Sequence, residues 1–286
     1  MDELILDILQ QLRDGSQGAL DTHQLEMLIN SHNSGIDSSA HSTEREKLIP
    51  KRAILPYFLQ VKQTNDELWQ SWNVTPELEE RFIRSVRMKP RRTASGVATI
   101  TVITRPHTCS SNCIYCPCDL RMPKSYLANE PACQRAELTF FDPYVQVAAR
   151  LQALHQMGHS TDKVELIVLG GTWSDYPESY QYWFIKELFR ALNEWPDSPN
   201  HIKERLNWYT SFGLQNSEEA LSSFVAEQQA AVFDDTATYN QAFHKLYDTS
   251  QPHQNAWSQM QSTYDQLVKQ QHVNETAAAR VVGLVI

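Results

Sequence analysis

All five cysteines of this 286-residue chain (Cys109, Cys113, Cys116, Cys118 and Cys133) fall within one short window, and the rest of the sequence contains none. That crowding constrains the chain more than any other feature. A disulfide scaffold spreads its cysteines along a small secreted domain. A tight group in an otherwise cysteine-free chain reads as a metal site. Cys109, Cys113 and Cys116 follow a Cys-x3-Cys-x2-Cys spacing. Three thiolates so spaced can take three irons of a cubane cluster and leave the fourth iron without a protein ligand. Zinc is the competing reading, with Cys118 or His107 as fourth ligand of a tetrahedral site. Cys133, two residues after Pro131, reads as a small buried apolar residue near a helix start.

The sequence around the cysteines places them in an α/β frame. Residues 97–104 are apolar and rich in Val, Ile and Thr, the pattern of a buried strand. A helix is expected over about 143–157, with Gly158 placed to end it. A second buried strand is expected over 164–169, followed by Gly170-Gly171-Thr172, and then a helix over about 179–193. Strand, loop, helix, strand, loop, helix implies a parallel sheet or barrel. The cysteines then occupy the loop after the first strand, where α/β barrels carry their active sites. An open iron at that place suits S-adenosylmethionine (SAM), which chelates through its amino and carboxylate groups. Tyr115, between the second and third cysteines, can pack near an adenine, and Gly170, Gly171 and Thr172 can meet the SAM amino group.

Residues 1–90 read as helical, with Leu4, Ile5, Ile8, Leu9 and Leu12 at helical spacing, a second run at Leu25, Leu28 and Ile29, and a helix over 76–86 with Pro at its first turn. A polar stretch over 30–42 separates the second run from the apolar residues that resume at Leu48. Between residues 81 and 92 stand Arg81, Arg84, Arg87, Lys89, Arg91 and Arg92, with no acid among them. In a chain of net charge −9 such a local stripe can still meet phosphates. Residues 195–272 are rich in Gln, Ser and Asn; they read as an inserted helical segment without recognisable chemistry, with helices near 218–233 and 257–271. Residues 280–286 read as a third buried strand. Such a strand at the end of the sequence predicts that these residues are the N-terminal part of a longer protein. No run approaches the roughly 18 apolar residues of a membrane span, and the acidic N-terminus lacks a secretory signal, so a cytoplasmic protein is expected. Hydrolytic signatures, G-x-S-x-G or H-E-x-x-H, and a Walker loop are all missing.

Several stretches together resemble a known family: Lys89-Pro-Arg-Arg-Thr-Ala-Ser-Gly96, Arg105-Pro-His-Thr-Cys109, Cys113-Ile-Tyr-Cys116-Pro117, Pro123-Lys-Ser-Tyr126, Glu130-Pro131, Arg135-Ala136, Gly158-His-Ser-Thr-Asp-Lys163-Val-Glu165, Gly170-Gly-Thr172 and Asn274-Glu-Thr-Ala277. They are similar to the catalytic subunit of Elongator, elongator protein 3, and its bacterial and archaeal relatives, which modify the wobble uridine of tRNA. The likeness runs over about 77–194 and resumes at 273–286.

The resemblance implies an α/β fold, an incomplete (β/α) radical SAM barrel over 93–286 preceded by a small helical domain over 1–92. It implies a radical SAM iron–sulfur enzyme that uses acetyl-CoA to form 5-carboxymethyluridine. By it, Cys109, Cys113 and Cys116 match the ligands of a 4Fe-4S cluster, and Lys163 matches a lysine assigned to acetyl-CoA binding. Lys89, Arg91 and Arg92 match a segment that contacts tRNA. Elongator-type partner subunits or self-association are the implied partners, and no catalytic acid or base is assigned. The sequence also departs from the family. The acetyltransferase domain, the later barrel strands and the acidic residue expected after the third strand are absent from these residues, Cys118 stands where glycine is common, and 195–272 has no counterpart. A radical SAM enzyme with another substrate and a non-catalytic tRNA- or metal-binding module are the alternatives.

Overall fold

The computed structural model describes residues 1–15, 18–34, 48–111 and 113–286. They divide into two compact units. One comprises Met1–Ser95 with Ala153–Ser160, the other Gly96–Gln152 with Thr161–Ile286.

The first unit is helical. Helix Asp2–Asp14 places Leu4, Ile5, Ile8, Leu9 and Leu12 on one buried stripe, as their spacing predicts. They join Leu25, Ile54, Phe58, Trp72 and Phe82 in one core. Phe58 stacks on Phe82 at 4.1 Å between ring centroids and on Trp72 at 5.9 Å. Helix Thr22–Asn33 starts with a capping box between Asp21 and Gln24. Helix Pro76–Val86 spans the predicted residues, with Thr75 capping the Leu78 amide and Pro76 in its first turn. Most of the polar stretch read over 30–42 lies outside the described residues. Gly158 has φ of +83°, and a Cβ there would meet Leu55 at 3.0 Å, so both conformation and packing call for glycine.

The second unit is built on a three-stranded parallel sheet in the order β1 (Ala98–Ile103), β2 (Lys163–Leu169), β3 (Arg280–Val285). Ala98 pairs with Val164 and Ile103 with Leu169, while Lys163 pairs with Arg280. The two expected strands and the helices Pro143–Gln156 and Glu178–Asn193 fall within about one residue of their predicted bounds. The free side of β1 is closed at its end by a side chain: the buried Gln146 amide accepts from Ile103 N at 2.8 Å and donates to Ile103 O at 2.9 Å.

Two expectations need correction. β3 pairs in parallel with β2, but it is not buried; Val282 and Val285 are about half exposed, because no element covers its outer face or far edge among the described residues. The start of β3 is set by buried Asn274, which accepts from Val281 N and donates to Ala279 O. The expected helix over 257–271 starts later, as Tyr264–Asn274, because Thr263 and Gln266 form a capping box there, while Trp257 ends a preceding helix, Gln251–Trp257. No helix of the described residues is long and apolar enough to cross a membrane.

Candidate functional site

The cysteine loop leaves the C-terminal end of β1, and Gly170-Gly171-Thr172 leaves the C-terminal end of the neighbouring β2. This is the end of a parallel sheet where ligands collect. Thr104 N continues the ladder to Leu169 O at 2.9 Å, so the two loops diverge from a fixed point. Gly170 is required there: a Cβ at that position would lie 2.1 Å from Thr104 Oγ1. Thr104 is fully buried, and its hydroxyl pairs with that of Tyr176 at 2.8 Å, which in turn donates to Arg105 O at 2.7 Å.

The three cysteines are presented differently. Cys109 is buried, with its Sγ 3.2 Å from Thr172 Oγ1. Its backbone is clamped by Asn240, which accepts from Cys109 N at 3.1 Å and donates to Cys109 O at 2.8 Å. Ser110 N donates to Asp175 Oδ2 at 2.6 Å, and the buried Lys124 donates to Ser111 O at 2.8 Å. Cys113 and Cys116 ride on the turn beyond these anchors, closed by Cys116 N donating to Cys113 O. Cys113 is exposed and Cys116 half-buried. On the same turn Ile114 and Tyr115 are 89% and 91% exposed, so Tyr115 faces solvent rather than a packed surface.

All five cysteines are free, and among the described residues no three Cys, His, Asp or Glu side chains converge as metal ligands. The donor set itself, three thiols on one loop with one of them open to solvent, suits a thiolate-ligated iron–sulfur cluster. Cys118 is half-buried with its Sγ 3.6 Å from Cys116 O, and burial pushes its thiol up. His107 stacks on Tyr176 at 4.6 Å and donates through Nε2 to Asp175 O at 3.0 Å, a packing arrangement that leaves Nδ1 buried without a partner. Cys133 is fully buried, and desolvation pushes its thiol up to about 12, which makes it an inert core residue.

Other predicted residues lie elsewhere. Lys163 opens β2, roughly 20 Å of strand away from Gly170 at the usual rise per residue. It lines a shallow cleft of about 450 Å³ with Asn274, Glu275 and Arg280. Lys89, Arg91 and Arg92 belong to the helical unit and lie at or near the surface, on and beside a short 3-10 turn, Pro90–Thr93. Their neighbours in the stripe are engaged locally: Arg84 pairs with Glu80 at 2.5 Å, and Arg81 Nε donates to Gly18 O at 3.0 Å.

Sequence reasoning missed the residues that hold the loop. Asn240 and Gln229 come from the 195–272 segment; Gln229 donates to Cys118 O at 2.7 Å and accepts from Leu120 N at 2.8 Å. Tyr239 and Tyr247 of the same segment donate to Met122 O and Leu120 O. Far from being silent packing, this segment holds the cysteine loop through the side chains of Asn240, Gln229, Tyr239 and Tyr247. Nothing in its polar composition marks Asn240 or Gln229, whereas Asp175, three residues after Thr172, could have been read from its position.

No family model matches the chain. A tRNA uridine(34) acetyltransferase of Methanocaldococcus infernus is 44% identical over 126 residues, 42% of this chain and 24% of that protein. The protein of the same name from Dehalococcoides mccartyi is 48% identical over 105 residues, 37% of this chain and 23% of that one. Elongator complex protein 3 of Homo sapiens is 39% identical over 146 residues, 47% of this chain and 26% of that protein. The chain thus spans about a quarter of the length of the curated relatives it matches. Among solved structures, the archaeal Methanocaldococcus infernus Elp3 with an N-terminal deletion (1-46) covers 66% of this chain and 22% of its own. That match has 24% identity and a TM-score of 0.30. The resemblance read from the motifs is therefore shown by sequence relatives.

Proposed function

We propose, taking the likeness to tRNA uridine(34) acetyltransferases and Elongator complex protein 3 as the premise, that this chain contributes the cluster-binding and tRNA-contacting part of a wobble-uridine modifying enzyme. In this reading the second unit is an incomplete (β/α) radical SAM barrel. Cys109, Cys113 and Cys116 hold a 4Fe-4S cluster, and SAM and acetyl-CoA are the cosubstrates of 5-carboxymethyluridine formation. The observation that carries the reading is the position of the three free cysteines: they leave the C-terminal end of β1 beside the Gly-Gly-Thr turn that leaves β2. A cluster held by Cys109, Cys113 and Cys116 would supply the electron for reductive cleavage of SAM.

The chain's own residues would do the positioning. Asn240, Asp175 and Lys124 fix the backbone from Cys109 to Ser111, so the first ligand is preorganised. The exposed Cys113–Cys116 turn can fold over a ligand, burying Ile114 and Tyr115, whose present exposure is unusual for such side chains. Gly170 keeps the second loop close to Thr104, and Thr172 is left within reach of Cys109. Lys163 and Arg280, paired in register beside the shallow cleft, supply two cations suited to the phosphates of acetyl-CoA. Lys89, Arg91 and Arg92, at the surface, suit the phosphates of tRNA.

The test is anaerobic reconstitution of the chain, incubation with SAM and dithionite, and measurement of 5′-deoxyadenosine. Formation of 5′-deoxyadenosine that disappears in Cys113→Ala supports the reading. A reconstituted, iron-loaded protein that releases none contradicts it.

A further inference from the structure

Arg105 follows β1 closely and precedes Cys109 by four residues. It is only 7% exposed. Its guanidinium carbon lies 4.0 Å from the Trp257 ring centroid and 4.8 Å from that of Tyr180, so aromatic faces flank the charge. Nη1 donates to Pro106 O at 3.0 Å, while Nε is buried without a partner. No carboxylate among the described residues forms an ion pair with it. Acids of the same unit are engaged with other arginines: Asp119 and Glu137 face Arg121 at 3.2 and 4.0 Å, and Asp142 and Glu187 face Arg205 at 3.0 and 2.9 Å.

A buried guanidinium without a counter-ion is strongly unfavourable, and native proteins resolve it with a carboxylate or a bound anion. Arg105 lines a cavity of about 40 Å³ together with Arg121, Phe140, Tyr247, His253 and Trp257. A water needs roughly 10–15 Å³ of such space, so the cavity has room for about three water-sized atoms, the size of one oxyanion group rather than a nucleotide. Glu137 also lines it, and its Oε1 has no hydrogen-bond partner. Burial raises the Glu137 pKa, and Arg121, whose Nε lies 4.0 Å from Glu137 Oε1, opposes that shift and takes up its charge. Seven of the lining residues, among them Tyr209, Tyr247, His253 and Trp257, come from the segment 195–272.

We propose that Arg105 and the wall supplied by residues 195–272 form a binding subsite for a small oxyanion, a carboxylate or a phosphate group, held by the free Nε–H and stacked guanidinium. The subsite shares its frame with the cysteine loop. Tyr176 donates to Arg105 O and stacks on His107, so filling the cavity braces the strand end from which the loop departs. This gives the segment 195–272 a ligand-binding role that does not depend on whether the cysteines hold a cluster.

The test uses the full chain without iron. Thermal unfolding is followed in acetate, in phosphate and in chloride at equal ionic strength and neutral pH. The expected result is a saturable rise in Tm with acetate or phosphate over chloride, at millimolar concentration. The stronger of the two identifies a carboxylate or a phosphate source. Arg105→Met, which keeps much of the side chain's length without its charge, is expected to lose that rise. Should the variant not fold, the wild-type Arg105 Nε–H resonance, assigned through its contacts with Trp257, is expected to move saturably with the same anion. Equal Tm in all three salts, an unaltered response in folded Arg105→Met, or an Nε–H resonance indifferent to the anions would overturn the proposal.

Discussion

Replacing Gly170 by Ala probes the junction on which both loops of the candidate site depend. The added methyl would lie 2.1 Å from Thr104 Oγ1, 3.2 Å from its Cβ and 3.3 Å from its Cγ2. Real carbon–oxygen contacts do not come that close, so something must shift. Thr104 cannot turn away cheaply, because its hydroxyl is bonded to Tyr176 in a fully buried position. Rotating it would leave a buried hydroxyl unsatisfied, at about 1–3 kcal/mol. Moving the backbone instead incurs an overpacking cost of similar size, about 1–3 kcal/mol. Either route predicts a loss of about 1–3 kcal/mol in urea unfolding, or roughly 2–10 °C in Tm for a unit of this size. The double variant Gly170→Ala with Thr104→Ala removes Oγ1 and Cγ2 and should be destabilised by less than the two single losses added together. A single variant as stable as the wild type, or a strictly additive double variant, would refute the steric reasoning.

Thiol reactivity should follow burial: in the native iron-free chain at pH 8, iodoacetamide should label exposed Cys113 and leave Cys133 unmodified, read by mass spectrometry of peptides; rapid labelling of Cys133 would contradict its packing. Asn240→Ala should free the backbone of Cys109 and raise hydrogen exchange in residues 107–111 without changing β2, and unchanged exchange would show that the clamp is idle. His253 is held down to about 4, first by burial and then by Arg105, so the folded chain resists a proton that the unfolded chain accepts near pH 6.5. Stability from this group is therefore full above pH 6.5 and falls as pH drops toward 4, by about 2 kcal/mol between pH 7 and 5. Comparing His253→Phe with wild type at those two pH values checks it, and equal losses in both proteins would be the contrary result. Binding of tRNA should weaken steeply with salt and again in the Arg91→Ala, Arg92→Ala double variant, as measured by filter retention; salt-insensitive binding would count against the phosphate-contact reading.

The sheet was legible because its signals are local. Residues 97–104 and 164–169 are apolar runs rich in β-branched residues, each with a glycine beside it, and the helices between them carry proline or glycine at their ends. The cysteine spacing is equally local, so the loop could be read before its surroundings were known. What escaped depended on long-range contacts. Asn240 meets Cys109 across 131 residues, and Gln229 meets Cys118 across 111. A glutamine- and asparagine-rich segment gives no periodic sign of which amide will face inward. Arg105 stands within a motif that suggested family, yet only the fold shows that its charge is buried between two aromatic rings without an ion pair among the described residues. β3 misled because Val-Val-Gly-Leu-Val-Ile reads as a buried strand by composition, while burial is decided by what packs on it.

The claim on which the rest depends is that Cys109, Cys113 and Cys116 together hold an iron–sulfur cluster. Iron and sulfide content, with visible absorption, measured after anaerobic reconstitution of the wild-type chain and of the three single Cys→Ala variants, tests it directly. The expected outcome is a brown protein with about four irons per chain, lost or sharply reduced in each of the three variants and retained in Cys133→Ala. Stoichiometric zinc without charge-transfer absorption, or iron loading indifferent to the three substitutions, would contradict it.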